Sequence, residues 1–199
     1  MHIYFIGLGG IGVSSLAQYY FVRGEKISGS DLAESEITQS LKKQGVRVFI
    51  GPHRAANLLA AKPDLVVFSP AITPDNLELK MAQKEGIRCQ SYPKALGELT
   101  KEYFTLAICG THGKGTTTAL ISLILIKAKL DPTVVIGTKL KEFGDSNFRS
   151  GKSKYLVIEA DEYKASFLNY WPKIIILTTV DKDHLDYFKN LSNILKTFI

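Results

Sequence analysis

The chain has 199 residues, room for one large domain or two small ones, and its hydrophobic share of 45% suits a protein with a proper core. The formal net charge is +6, a mild excess spread over both halves, with no basic run interleaved with aromatics to mark a nucleic-acid surface. No run of roughly 18 apolar residues reads as a membrane span.

Two cysteines, Cys89 and Cys109, lie inside apolar strand-like runs, without the spacing of a zinc site, and read as buried free thiols of a reducing compartment. The apolar N-terminus lacks a basic n-region and is interrupted by Gly7, Gly9, Gly10 and Gly12, which argues against a signal peptide. Together these features predict a soluble cytoplasmic protein whose partners are anionic small molecules rather than nucleic acid or membrane.

In chain order, residues 3–6 read as a buried strand, 7–12 as a glycine turn and 13–23 as an apolar helix ended by Gly24. A strand over 26–29 leads into Ser30-Asp31, followed by a helix near 37–44 and a strand over 46–50 closed by Gly51-Pro52. Residues 65–69 form another strand, 76–85 a helix, 87–89 a short strand, and 92–102 a short helix and link. The alternation predicts a parallel sheet with helical crossovers. The pattern then restarts, which divides the chain into domains over 1–102 and 103–199. Further strands are expected at 133–136, 155–158 and 174–178, with a polar loop over 139–154 and an amphipathic helix over 191–199. The chain stops there without a cap or polar tail, as a truncated domain would.

The first glycine turn, Gly7-Leu8-Gly9-Gly10-Ile11-Gly12, matches G-x-G-x-x-G between a strand and a helix. Asp31 follows about 20 residues later, as in dinucleotide sites, where an acid contacts a hydroxylated group. Asp31 as a cap of the next helix is the structural alternative. Taken alone, this turn suggests a nicotinamide dehydrogenase.

The second turn argues otherwise. Cys109-Gly110-Thr111-His112-Gly113-Lys114-Gly115-Thr116-Thr117-Thr118 sits between an apolar strand and an apolar helix. Such a turn aims backbone N–H groups at a phosphate, a lysine adds charge, and hydroxyls offer oxygen to Mg²⁺. It departs from the standard phosphate-loop pattern, which wants Gly at Ile108 and Ser or Thr at Gly115. Hydride transfer needs no such lysine, so the two turns together suggest a nucleotide-linked substrate in the first domain and ATP in the second.

Two more strand ends carry chemistry. Residues 155–158 run into Glu159-Ala160-Asp161-Glu162, where a carboxylate beside a phosphate turn is placed to hold Mg²⁺. Residues 174–178 lead to Asp183-His184-Leu185-Asp186, and the neutral imidazole of His184 suits a metal or a phosphate. His2 reads as structural, His53 as part of a turn, and His112 as facing the substrate side.

In this order and context the motifs resemble the Mur ligases of peptidoglycan synthesis. The similarity runs over essentially the whole chain and includes Ser28-Gly29-Ser30-Asp31 and Ser69-Pro70-Ala71-Ile72. It implies a Rossmann-like α/β domain for a UDP-sugar, followed by a P-loop ATPase-like central domain, here incomplete. The implied substrate contacts are Gly9, Gly10, Ile11, Gly12, Asp31 and Ser69. The implied ATP contacts are residues Gly110 to Thr117, Thr111, His112, Gly113, Gly115 and Thr116 among them, with Lys114 on the β- and γ-phosphates. Lys114, Glu159 and His184 are the implied catalytic groups. Glu159 and His184 match positions that carry Mg²⁺.

Within the family the motifs are nearest to the activity that joins L-alanine to UDP-N-acetylmuramate through an acyl phosphate. The ligase that joins a tripeptide to the same nucleotide sugar is similar in them, and a non-catalytic nucleotide-binding piece is the remaining alternative. Two departures stand out. Family members that add alanine usually carry Thr where Gly115 stands, which passes the metal hydroxyl to Thr116. Full members also continue well beyond this length, so the chain is expected to fold at least in its first domain and not to ligate alone.

Overall fold

A computed structural model describes residues 1–182 and 185–198, the side chains of 185 and 186 excepted. Two compact units divide the chain, Met1–Ala95 and Leu96–Ile199.

The first unit is a five-stranded, all-parallel sheet in the order β3-β2-β1-β4-β5. Its strands are β1 (His2–Ile6), β2 (Lys26–Asp31), β3 (Arg47–Ile50), β4 (Leu65–Phe68) and β5 (Arg88–Ser91). Helices α1 (Ile11–Val22), α2 (Glu36–Lys43), α3 (Ala55–Ala61) and α4 (Leu77–Lys84) make the crossovers. Every residue of β1 is buried, which is why its sequence runs apolar instead of alternating. Successive strands diverge on either side of β1, so the turn after it stands at the topological switch point, where ligands bind in open α/β sheets.

Local chemistry fixes the helix ends. Ser35 caps α2 in a reciprocal capping box with Thr38, with Glu36 in the first turn and Lys42 and Lys43 in the last. Asn76 caps α4 by accepting from the Glu78 and Leu79 amides at 3.0 and 3.1 Å. Helix α3 has no counterpart among the elements expected from the sequence. Its alanines and leucines favour a helix, and Leu58 and Ala61 close a cluster with Leu79 and Ala82.

Helix α5 (Tyr92–Glu102) contains the division between the units. The second unit's sheet has the order β10-β6-β9-β7-β8. Its strands are β6 (Phe104–Cys109), β7 (Thr133–Leu140), β8 (Ser146–Arg149), β9 (Tyr155–Glu159) and β10 (Ile174–Leu177). Helix α6 (Lys114–Lys127) covers a core of Ile108, Val134, Ile136 and Val157 through Ala119, Ile121 and Leu125.

The segment expected as a polar loop over 139–154 is structured. It holds the end of β7, a 3₁₀ turn over Lys141–Phe143, and β8, which pairs antiparallel with β7. Gly144 and Asp145 turn the chain at φ of 74° and 55°, and β8 buries Asn147 and Phe148. A single aromatic among polar residues concealed this strand. Its pairing with β7 shifts register between Val135 and Leu140, leaving a bulge around Gly137 and Thr138. A second 3₁₀ segment spans Tyr163–Asn169, and helices α7 (Leu185–Phe188) and α8 (Leu191–Phe198) close the described chain.

Candidate functional site

In the first unit the glycine turn is tied to the end of β2. The Ser30 carbonyl accepts from the Gly7 and Leu8 amides at 2.9 and 3.0 Å, and Asp31 Oδ2 accepts from the Gly9 amide at 2.7 Å. Gly7 has a φ of 80°, and a Cβ there would lie 2.9 Å from the Ser69 Cβ. At Gly12 a Cβ would lie 2.9 Å from the Tyr92 ring. Helix α1 begins at Ile11 with no side-chain cap and no acid in its first turn, so the positive end of its dipole is not neutralised by a local carboxylate. The sequence-derived set Gly9, Gly10, Ile11, Gly12, Asp31 and Ser69 is thus gathered around one turn.

Sequence reasoning missed the support beneath it. Glu78 is fully buried and accepts from Ser30 Oγ at 2.5 Å and Asn57 Nδ2 at 2.8 Å. His53 Nδ1 lies 3.3 Å from the same carboxylate and 2.9 Å from Ser30 Oγ. Burial, reinforced by the Glu78 charge, pushes the Tyr4 phenol far above its ordinary range. A glutamate in the first turn of an exposed-looking helix gives no sign in the sequence that it points inward. His2 is structural as expected, its Nε2 2.8 Å from Ser28 Oγ, and burial lowers its pKa.

In the second unit the lysine-bearing turn joins β6 to α6. Gly110 has a φ of 126° and Gly113 a φ of 78°, conformations that favour glycine. The turn is bound to the end of β10. The Thr111 amide donates to the Thr179 carbonyl at 2.7 Å, the His112 amide to Thr179 Oγ1 at 3.0 Å, and Thr178 Oγ1 to the His112 carbonyl at 2.7 Å. With those amides engaged, an anion meets the N–H groups at the start of α6, where helix geometry leaves donors without intrahelical partners.

Lys114 lies across the turn. Its ammonium donates to the Gly110 and Thr111 carbonyls at 2.8 and 3.2 Å and pairs with Glu162 at 2.8 Å. Glu162 is only 2% exposed, so the pair is largely withdrawn from water. Glu159 ends β9, and its Oε2 accepts from the Gly137 amide at 2.7 Å. Burial raises its pKa, while the Gly137 N–H and the Lys114 charge act in the opposite direction. An ideal Cβ on Gly115 would sit 3.6 Å from Glu159 Oε2, so the start of α6 faces this carboxylate. Thr116 is exposed, and Thr117 half-buried, on the same first turn of α6.

The strand order β10-β6-β9 sets three C-terminal ends side by side. His184, expected on this edge, lies outside the described residues. Among the described residues no three His, Cys, Asp or Glu side chains group as a metal cage. One carboxylate beside a phosphate-binding helix start is nonetheless the donor set that suits Mg²⁺, which keeps waters and takes phosphate oxygens. The residues therefore fit Mg²⁺ held jointly with a nucleotide. Cys109 is a buried free thiol, whereas Cys89 is only half-buried, and no helix among the described residues is long and apolar enough to cross a membrane.

The fold and the two turns define an α/β protein of the nucleotide-binding class, with a glycine-rich strand-to-helix turn in each unit. Residues 2–104 match the Mur ligase family, catalytic domain, and residues 108–199 match the Mur ligase middle domain. The chain belongs to the Mur ligase family. It is 44% identical over its whole length to a UDP-N-acetylmuramate–L-alanine ligase of Acetivibrio thermocellus, and 46% identical over 98% of its length to one of Caldanaerobacter subterraneus. It spans 42% of the length of each. Among solved structures, a UDP-N-acetylmuramate–alanine ligase of Thermotoga maritima superposes with a TM-score of 0.88 at 33% identity, covering all of this chain and 46% of that one. The UDP-N-acetylmuramate:L-alanyl-γ-D-glutamyl-meso-diaminopimelate ligase of Neisseria meningitides superposes at 0.91 with 28% identity, covering 99% of this chain and 66% of that one.

Proposed function

We propose that this chain forms the nucleotide-sugar-binding and ATP-binding parts of a cytoplasmic ligase that joins L-alanine to UDP-N-acetylmuramate. The observation that carries the reading is the pair of phosphate turns on one chain, the second bearing Lys114 beside Glu159 and Glu162. The identity of 44 to 46% to ligases of that name supports it.

A carboxylate does not condense with an amine at neutral pH, because its leaving group is oxide. In the proposed reaction a lactyl carboxylate oxygen attacks the γ-phosphorus of ATP and ADP leaves. The alanine amine then attacks the acyl phosphate carbonyl, the tetrahedral adduct expels phosphate, and the amine loses a proton. The chain's share is positioning and charge neutralisation. The first glycine turn and the start of α1 hold the diphosphate, with Asp31 and Ser69 beside the nucleotide sugar. The start of α6, residues 113–117, receives the ATP phosphates, and Lys114 moves from Glu162 onto the β- and γ-oxygens. Glu159, together with His184, holds Mg²⁺, which when bound offsets the charge developing on those oxygens.

The superposition on the Neisseria ligase favours a second reading, transfer of a tripeptide to the same nucleotide sugar. Calorimetry of the chain with UDP-N-acetylmuramate, ATP and NADH tests the reading. Binding of the first two is expected; binding of NADH alone would overturn it. Steady ADP release dependent on UDP-N-acetylmuramate and L-alanine would show that these residues suffice for ligation, against the expectation that they do not.

A further inference from the structure

The second turn lacks a group its chemistry calls for. A hydroxyl directly after the lysine is what lets a phosphate loop touch its cation, and Gly115 has none. The same stretch offers Thr116, but the helix turns by about 100° per residue. Lys114 begins α6, so Gly115 and Thr116 are both helical and leave the axis in different directions. The Gly115 direction leads to the cation side: an ideal Cβ there meets two groups at 3.6 Å, Glu159 Oε2 and Thr138 Cγ2. Thr138 is exposed on β7, inside the bulge that disrupts pairing with β8 between Val135 and Leu140. The residue before it, Gly137, donates its amide to Glu159 at 2.7 Å, and a Cβ on Gly137 would lie only 2.9 Å from that carboxylate. The bulge thus docks β7 against the metal-side carboxylate and brings one hydroxyl-bearing side chain to the space that Gly115 leaves open. Bulges beside active sites commonly re-aim a side chain in this way.

We propose that Thr138 on β7 supplies, beside Glu159, the cation-binding hydroxyl that Gly115 lacks on α6. This rests on the ATP-site reading above. The hydroxyl moves from the helix to the facing strand, and the oxygen count around the cation is kept. Residue 115 must then stay small, because a branched side chain there would contact the Thr138 methyl group.

The test measures binding of a non-hydrolysable ATP analogue to the 199-residue chain by calorimetry, with Mg²⁺ and with EDTA. The readout is the factor by which Mg²⁺ improves affinity. Thr138→Val keeps the shape and removes the hydroxyl; the expected loss of that factor is roughly tenfold or more. Thr116→Val probes the rival hydroxyl on α6 and should cost a smaller part of the factor than Thr138→Val. Adding Gly115→Ser to Thr138→Val should restore most of it, and an EDTA affinity of Thr138→Val equal to the parent's shows that the fold is intact. If Thr138→Val keeps the full Mg²⁺ factor, or if only Thr116→Val loses it, the assignment of Thr138 is wrong while the ATP site stands. If the unsubstituted chain binds no nucleotide with Mg²⁺, the ATP-site reading and this assignment fall together.

Discussion

Two glycines of the lysine-bearing turn share a positive φ but differ in surroundings, so replacing each by alanine separates backbone strain from collision. At Gly113, φ is 78° and nothing lies within 4 Å of an added Cβ. Gly113→Ala therefore carries only the left-handed strain of an L-residue, about 1–2 kcal/mol. At Gly110, φ is 126°, and the Cβ would collide with Thr178 Oγ1 and lie 2.7 and 2.9 Å from the Thr179 carbonyl oxygen and amide nitrogen. Those atoms belong to Thr178 and Thr179, which already hold Thr111 and His112 through the Thr179 carbonyl and both hydroxyls, so they cannot yield without loosening the turn. Overpacking adds about 1–3 kcal/mol, for a total near 2–5 kcal/mol. Trp171, the chain's single tryptophan, lies in the second unit and donates its amide to Thr100 Oγ1 at 2.9 Å. Its fluorescence during urea unfolding reports the unit that carries the turn. The expected result is a lower midpoint for both variants at an unchanged slope, with Gly110→Ala at least about 1 kcal/mol below Gly113→Ala. Equal losses, or the reverse order, would refute the claim that β10 packs against the turn at Gly110.

Lys114→Met should abolish ATP binding and also destabilise the second unit by up to about 3–5 kcal/mol, because it removes the cation paired with the 2%-exposed Glu162. Loss of calorimetric binding with an unchanged Trp171 unfolding midpoint would contradict the buried pair. Asp31→Ala removes the acceptor of the Gly9 amide and should lower affinity for UDP-N-acetylmuramate roughly tenfold, leaving ATP affinity intact, as titration of each ligand will show. Asp131 is held below the ordinary carboxylate range by its hydrogen bond from Arg149, then by the Lys152 amide. Its stabilising contribution is therefore complete above the ordinary aspartate value of 3.8 and is lost as pH falls through the lower folded value. The stabilities of the parent chain and Asp131→Asn, measured by urea unfolding, should converge over that acid range; a constant gap would count against the Arg149 contact.

What the sequence made legible follows from what each element hides. Strands buried on both faces announce themselves as apolar runs, and β1, β4, β6 and β9 were found within a residue or two. Glycine turns between a strand and a helix are equally plain, because their residues are dictated by φ and close approach. The failures share a cause. Helix α3 is short and carries only Leu58 and Ala61 inward, too few to set a period. Strand β8 buries Asn147 and Phe148 in a polar stretch, and is held by antiparallel pairing to β7 across the Gly144-Asp145 turn rather than by an apolar pattern of its own. Nothing in the sequence marks Glu78 or Glu162 as buried, and tertiary contacts with Ser30, Asn57 and Lys114 make their burial tolerable. The site's charged frame was visible residue by residue, but the partner of each charge was not.

That partnering bears on how the second site works. A lysine ammonium has three protons, and in this structure the Gly110 carbonyl, the Thr111 carbonyl and Glu162 account for all three. A phosphate arriving at the start of α6 does not meet a free cation; it must exchange with one of these acceptors. Displacing a carbonyl would leave the Lys114–Glu162 pair neutral and add little attraction. Displacing Glu162 transfers the full charge to the phosphate but leaves a buried carboxylate, at a cost of several kcal/mol unless something replaces the ammonium. Glu159, three residues earlier and raised in pKa by burial, gives the same edge a second carboxylate whose ionisation costs energy. Mg²⁺ arriving with the nucleotide lowers both costs, since its positive charge favours ionised Glu159 directly and attracts the Glu162 carboxylate at longer range. Phosphate and cation are therefore coupled at this edge: neither is well accommodated alone, and the nucleotide should bind markedly tighter as its Mg²⁺ complex than as the free anion.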